Sequence, residues 1–135
     1  MGILSFNRIS RSGNSAAMNK LLIIGAILGF VSVMMGALSD HAFELTPDKA
    51  ESLATAIRYN MLYAILVSAI AIASSETKMT MPGVVFAIGT VLFSFSIYAA
   101  LFTRIEALIY VTPIGGVTIM AGWIALAYRA IRYKD

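Results

Sequence analysis

The residues from Leu21 to Leu38 read LLIIGAILGFVSVMMGAL, a run without a charged side chain. Three further charge-free stretches follow, at Tyr59–Ser75, Met79–Thr103 and Ala107–Tyr128. The hydrocarbon core of a bilayer is about 30 Å thick, and roughly 20 helical residues at about 1.5 Å each cross it. The sequence therefore predicts an all-α, polytopic membrane protein built as a four-transmembrane-helix bundle.

The composition supports a bilayer as the main solvent. Of 135 residues, 59% are hydrophobic and 13% are charged, whereas a soluble domain carries about 25% charged residues. The chain has no cysteine, which excludes disulfides, thiolate metal sites and thiol nucleophiles. The net charge of +3 is modest and its basic residues flank apolar spans, so we expect no nucleic-acid partner.

The first 17 residues are polar and rich in serine and asparagine. We predict a mobile tail over residues 1–17 and a single membrane domain over 18–135, with Met18 as an alternative translation start. Positive charge before an apolar run also describes a signal peptide, but Leu21–Leu38 exceeds the usual 7–15 apolar residues of one. We therefore expect helix 1 to be retained.

The distribution of basic residues predicts the orientation. With both termini on one side, seven basic residues fall there and three fall on the other, which places both termini in the cytoplasm by the positive-inside rule. Before the second span, Thr46 can cap a helix that begins at Pro47. Its first turns carry apolar residues predicted to share one face, and we expect an outward amphipathic helical extension that rests on the bilayer or over the bundle. That predicted apolar face consists of Ala50, Leu53, Ala54 and Ile57.

Two stripes of small residues recur at helical spacing, one in the first span and one in the fourth. In lipid, such stripes let helix backbones approach closely, and we expect the two stripes to face each other within the bundle or to form a dimer interface. The residues predicted to pack helices are Gly25, Gly29, Ser32, Gly36, Gly115, Thr118 and Gly122. Pro113 either kinks the fourth helix or starts it, with Thr112 as the cap.

A polar cluster is predicted at the outer face from Asp40, His41, Glu44 and Arg58. Arg58 can pair with Asp40 or Glu44 as a structural clamp, or its planar guanidinium can bind an anion or a lipid headgroup. His41 is the only histidine, and metal sites need three or four ligands. We therefore predict no metal and no cofactor.

The sequence offers little to catalysis or ion transport. It contains no paired carboxylates within a span, no nucleophile beside a base and no phosphate-binding loop. Every Asp, Glu, Lys, Arg and His lies at a predicted span boundary, whereas proton and ion pathways place such groups inside spans. We expect a chain without enzymatic activity.

Several short motifs occur in a characteristic order. They are Asn19-Lys20-Leu21-Leu22-x-x-Gly25-Ala26-x-x-Gly29, Met35-Gly36-Ala37-x-x-x-His41-Ala42, Thr55-Ala56-x-Arg58-Tyr59-x-Met61, Phe93-Ser94-x-Ser96-x-Tyr98, Thr112-Pro113-Ile114-Gly115-Gly116 and Gly122-Trp123. In these motifs the chain resembles the domain of unknown function 423 family, small four-helix membrane proteins similar to transmembrane protein 256. The resemblance covers about residues 18–128 and implies a fold but no biochemical activity. The chain departs from the family pattern at Ser39-Asp40, at Tyr63, where the family often has a second histidine, and at Phe95, where it often has glycine.

These observations lead to an expected function with two alternatives. We expect a non-enzymatic accessory or scaffold subunit of the cytoplasmic (inner) membrane, in contact with membrane lipids and with other membrane proteins or a second copy of itself. One alternative is a permease or channel for a neutral solute, along a path past Ser94, Ser96, Tyr98 and Thr112. The other is a lipid-headgroup binding protein that uses Arg58 and His41.

Overall fold

The computed structural model describes residues 12–41, 44–77 and 80–132. Helix α1 spans Ser12–His41 and α2 spans Pro47–Thr77. Helix α3 is built from α-helical Thr80–Thr90, a π-helical turn at Val91–Phe95 and α-helical Ser96–Thr103. A 3₁₀ helix at Glu106–Val111 leads into α4 at Thr112–Arg132. The described residues form no strand, which confirms the all-α fold.

Each of the four helices is long and apolar enough to cross a membrane. The candidate spans are Lys20–His41, Pro47–Ala73, Thr80–Thr103 and Glu106–Arg132. Exposed apolar side chains cover the outside of the bundle, including Ile124, Phe30 and Ile72 at 71%, 68% and 66% exposure. Lipid tails solvate such a surface without penalty, whereas water would drive it to associate. The predicted four-helix membrane bundle is confirmed.

The helix starts refine the predicted boundaries. Helix α1 begins at Ser12, within the segment predicted to be a tail, and residues 1–11 lie outside the described residues. Helix α2 begins at Pro47 as predicted, because the backbone N–H of Lys49 donates to Thr46 Oγ1 at 3.4 Å. The amphipathic extension and the second span are therefore one continuous helix.

The buried face of that extension differs from the prediction. Leu53 and Ala56 are fully buried against the other helices, whereas Ala50 and Ala54 are exposed. The buried positions continue at Asn60, so the face that meets the bundle follows the spacing of 53, 56 and 60. The extension thus packs on the bundle through a narrower face than its apolar residues indicated.

Pro113 lies in the first turn of α4 and does not kink a continuous span. The preceding segment is 3₁₀ helix, and proline is tolerated at a helix start because the first amide groups need no intrahelical acceptor. Thr112 has helical dihedrals (φ −56°, ψ −47°), so it is not an N-cap in extended conformation. Instead its hydroxyl lies 2.6 Å from that of Ser96 in α3.

The bundle core has two parts. One packs around Tyr63, Val67, Phe86 and Ile119, near the ends of the helices that hold Lys20 and Arg132. The other packs around Met35, Leu53, Ala56 and Ile97, near His41 and Thr103. We call these parts of the bundle the Lys20 half and the His41 half. Both ends of the membrane domain lie in the Lys20 half, and the cytoplasmic placement of the termini stays a prediction.

Candidate functional site

Glycines bring helices into backbone contact in the Lys20 half and, at Gly115, at its border with the His41 half. A Cβ atom on Gly25 would collide with Ser68 Oγ in α2, and one on Gly115 would collide with the backbone nitrogen of Phe93 and lie 2.7 Å from its Cα. A Cβ on Gly122 would lie 2.8 Å from the ring of Phe86. These positions are glycine because the neighbouring helix occupies the space that a side chain would need.

The two small-residue stripes do not face each other, contrary to our expectation. Gly25 and Gly29 face α2, and Gly115 and Gly122 face α3. The first stripe packs α1 against α2 and the second packs α4 against α3, because these are the main helix pairs of the bundle.

The remaining residues predicted to pack helices are Ser32, Thr118 and Gly36, and they contribute less to the contacts between helices. Ser32 is buried and its hydroxyl donates to the carbonyl of Ile57 at 3.1 Å. Thr118 donates to the Ile114 carbonyl of its own helix, and a Cβ on Gly36 would meet nothing within 4 Å. Only Ser32 of these three joins two helices.

A line of buried polar groups crosses the His41 half. Asn60 Nδ2 donates to the hydroxyl of Tyr98 at 2.9 Å, and Ser94 Oγ donates to the carbonyl of Ala56 at 2.8 Å. Asn60 and Ser94 are completely buried. Ser94 and Tyr98 are one helical turn apart and both meet α2, whereas Ser96 points away from them to Thr112 in α4. We call this set of side chains the polar seam: Asn60, Ser94, Ser96, Tyr98 and Thr112.

The polar seam coincides with the π-helical turn of α3. Phe93, in the middle of that turn, stacks on Tyr59 with ring centroids 4.7 Å apart. A π-helical turn widens the backbone and is frequent at functional sites. Here it directs Ser94 to α2 and Ser96 to α4, so one short segment ties three helices together. Asn60 Oδ1 has no hydrogen-bond partner in the described part of the chain.

Two cavities open in the His41 half, and they share Ser52 and Ile97. The acidic cleft has a volume of about 470 Å³ and is lined by Asp48, Glu51, Thr55, Phe93 and Thr112 besides the two shared residues. The mixed-charge groove has a volume of about 970 Å³. Its charged lining residues are Glu44, Lys49, Arg104 and Glu106. Both cavities lie where α2 begins and α3 ends.

The predicted outer-face cluster is spread over separate surfaces. Glu44 lines the mixed-charge groove, whereas Asp40, His41 and Arg58 are exposed and line neither cavity. Among the described residues, no ion pair links Arg58 to Asp40 or Glu44. The described residues also contain no group of three or more His, Asp or Glu side chains placed to hold a metal ion.

Arg58 lies deeper in the bundle than its sequence position indicated. Helix α2 begins at Pro47, so Arg58 is in its fourth turn, and the bond from Ser32 to the Ile57 carbonyl places this level beside Ser32 in α1. Nine residues separate Ser32 from His41, which corresponds to about 13 Å along α1. Arg58 therefore lies inside the candidate span Pro47–Ala73, and the placement of the charged residues at the membrane boundaries stays a prediction.

The motifs of the sequence and this four-helix arrangement match a known family. The model for the family described as "Protein of unknown function (DUF423)" matches residues 35–116. The chain belongs to the DUF423 family. Three similar relatives are membrane proteins by name: a UPF0382 membrane protein of Haemophilus influenzae (34% identity over 87% of this chain and 98% of the relative), the UPF0382 inner membrane protein YgdD of Escherichia coli (33%, 84% and 91%) and the UPF0382 membrane protein YwdK of Bacillus subtilis (32%, 86% and 99%).

These relatives confirm an integral membrane protein, and the name of the E. coli relative confirms the predicted inner-membrane location. No solved structure matches the chain. At Tyr63, one of the departures expected from the family pattern, the tyrosine hydroxyl accepts a hydrogen bond from Trp123 Nε1 at 2.9 Å. Phe95, another of these departures, packs its ring 5.4 Å from that of Tyr98. Both departures thus take part in interhelical or local packing.

Sequence reasoning missed two features of this region. It did not pair Asn60 with Tyr98, and it did not place Lys49, Arg104 and Glu106 around one groove. The spacing of 94 and 98 on one helix and of 56 and 60 on another was a usable signal, because each pair shares a helical face. The groove left no such signal, since it forms from residues that are distant in sequence.

Proposed function

We propose that this DUF423 protein is a non-enzymatic accessory subunit that packs against another membrane protein through the exposed face of α2. The observation that carries the proposal is Arg58. Its side chain is exposed on the outside of the bundle, inside the candidate span Pro47–Ala73, and it has no ion-pair partner among the described residues. A charge at the centre of a membrane helix costs about 2.5–3.5 kcal/mol on insertion scales.

The surroundings of Arg58 form an otherwise apolar surface. Leu62, Ile65 and Ile72 follow it on the same side of α2 and are 54%, 61% and 66% exposed. We call Arg58 and these three residues the α2 face. A partner helix with a carboxylate opposite Arg58 would neutralise the charge and bury the aliphatic side chains, and interhelical polar contacts of this kind stabilise membrane complexes.

Snorkelling is the competing explanation for Arg58. The Cα–Cβ bond of a helical residue tilts toward the helix N-terminus, which for α2 is the His41 end of the bundle. The side chain can therefore extend toward the headgroups of that leaflet and bind a phosphate there. If the protein is an accessory subunit, a partner helix lies against Leu62 and Ile65. If Arg58 only contacts lipid, acyl chains lie there.

The test is site-specific photo-crosslinking in native membranes. A photoreactive residue at position 65 is expected to yield an adduct with a second, different protein, and the same residue at Ile124, equally apolar and 71% exposed on α4, serves as the control. Arg58→Ala is expected to lower the yield at position 65 about tenfold, and Arg58→Lys to retain most of it. Adducts with lipid alone at position 65 would contradict the proposal. A product of two copies of this chain would replace it with self-association.

A further inference from the structure

The mixed-charge groove combines opposite charges with an apolar wall. Lys49 comes from the first turn of α2, Arg104 from the end of α3, and Glu44 and Glu106 from the segments that precede α2 and α4. Its two cations and two anions cancel in formal charge. The same groove is also lined by aliphatic residues, namely Leu45, Ile97, Ala100, Leu101 and Ile109.

Within the described part of the chain, these four charged side chains do not form salt bridges with one another, although all line the same groove. Charges of both signs that border one cavity without pairing leave both a phosphate-binding and an ammonium-binding position free. The groove therefore has the charge pattern that complements a zwitterion.

The backbone affects the charged positions of the groove in different ways. Lys49 lies in the first turn of α2, where the positive end of the helix dipole adds to its charge, whereas Glu106 opens the 3₁₀ helix Glu106–Val111 and complements the positive end of that helix. Arg104 holds φ at 60° as the C-cap of α3, a conformation that usually selects glycine. The Arg104 side chain is thus held by a backbone conformation that is unfavourable for most residues other than glycine.

We propose that the mixed-charge groove binds one zwitterionic phospholipid of the phosphatidylethanolamine type. Lys49 and Arg104 contact the phosphate, and Glu44 and Glu106 accept hydrogen bonds from the ammonium group. An acyl chain lies along Ile97 and the neighbouring aliphatic side chains of the wall. This site differs in position and residues from the α2 face, so it does not depend on the accessory role.

The position of the groove selects a lipid over a soluble zwitterion. It lies where α2 begins and α3 ends, and Tyr110, one of its lining residues, is 80% exposed, as we expect for an aromatic side chain at a membrane interface. A soluble amino acid or betaine would leave the aliphatic wall unused. An anionic lipid would satisfy the two cations but bring its net charge next to two carboxylates.

The experiment measures lipid binding to the full-length protein by native mass spectrometry in detergent. Dioleoyl phosphatidylethanolamine is expected to bind at least fivefold more tightly than dioleoyl phosphatidylglycerol or phosphatidylcholine, because only its headgroup donates hydrogen bonds to carboxylates without a net negative charge. The double variant Lys49→Gln/Arg104→Gly is expected to bind it about tenfold more weakly. The glycine relieves the left-handed backbone, so this variant should fold at least as well as the native chain. Lys20→Gln, at the opposite end of the bundle, is the matched control.

A second variant tests the role of the two carboxylates, and a soluble competitor tests whether the acyl chains are needed for binding. Glu44→Gln/Glu106→Gln is expected to erase the preference for phosphatidylethanolamine over phosphatidylglycerol. Glycerophosphoethanolamine, which has the same headgroup without acyl chains, should not displace the lipid at equal concentration. Displacement by it would assign the groove to a soluble zwitterion and overturn the proposal. Equal binding of all three lipids, or equal loss in the Lys20→Gln control, would also overturn it.

Discussion

The two halves of the bundle are held together by different physical means. In the Lys20 half, glycines let backbones touch and aromatic rings fill the remaining space, as where Phe86 lies 5.0 Å from the ring of Trp123. In the His41 half, the polar seam joins the helices by hydrogen bonds and two cavities remain open. The Lys20 half therefore suits a fixed scaffold, and the His41 half contains the surfaces available to a ligand.

This difference reflects what lipid offers as a solvent. Lipid tails are as apolar as leucine, so burying apolar surface adds little, and helices associate through close packing or through polar contacts. The Lys20 half relies mainly on the first means, to which the hydrogen bond from Trp123 to Tyr63 adds one polar contact, and the His41 half relies mainly on the second. Substitutions in the two halves should consequently lower the free energy of unfolding by different amounts.

The largest effect is expected at Gly115. Alanine there would place a Cβ against the backbone of Phe93 and 2.8 Å from the carbonyl oxygen of Gly89, and backbone atoms cannot move aside as a flexible side chain can. Overpacking of this kind costs about 1–3 kcal/mol, and we expect the upper end. The free energy of unfolding in mixed detergent micelles measures it.

The neighbouring glycine supplies the control for Gly115. A Cβ on Gly116 would meet only the Phe93 ring, at 3.9 Å, which is ordinary contact. Gly116→Ala should therefore leave stability unchanged or raise it by up to about 1 kcal/mol, because alanine favours helix. Equal losses for the two variants would show that helix propensity, and not close approach to α3, governs this stripe.

An intermediate effect is expected for Tyr98→Phe. The change removes the hydroxyl that Asn60 Nδ2 contacts and leaves a completely buried amide with no partner among the described residues. An unsatisfied buried polar group costs about 1–3 kcal/mol in water-soluble proteins, and membrane hydrogen bonds average about 0.6 kcal/mol. We expect a loss of about 1 kcal/mol by the same unfolding measurement. Tyr128→Phe changes an exposed side chain and should leave the free energy of unfolding unchanged. An equal loss for Tyr128→Phe would show that the hydrogen bond between Asn60 and Tyr98 is not the cause.

The sequence determined the fold far better than the site. Span number, helix type and the helix start at Pro47 follow from local properties, because hydropathy and capping depend on adjacent residues. The helix that each small-residue stripe contacts does not follow from local properties. A glycine such as Gly25 or Gly115 indicates that another helix comes close, but not which helix it is. Charge usually ends a span, which predicts Arg58 at a boundary, whereas α2 continues through it without a break from Pro47 to Thr77.

The smallest effect is expected at the contact between Ser96 and Thr112. Their hydroxyl oxygens are 2.6 Å apart and join α3 to the first turn of α4. Ser96 Oγ also lies 2.9 Å from the carbonyl of Phe93, to which it can donate, so Ser96→Ala leaves the Thr112 hydroxyl free to turn to the adjacent acidic cleft. That exposure to the cleft limits the penalty of an unpaired group. A double-mutant cycle of Ser96→Ala and Thr112→Val should give a coupling free energy of about 0.5 kcal/mol, near the average for membrane hydrogen bonds. A coupling above about 2 kcal/mol would mean that the cleft is dry at Thr112, and the contrast between a closed Lys20 half and an open His41 half would then fail at this position.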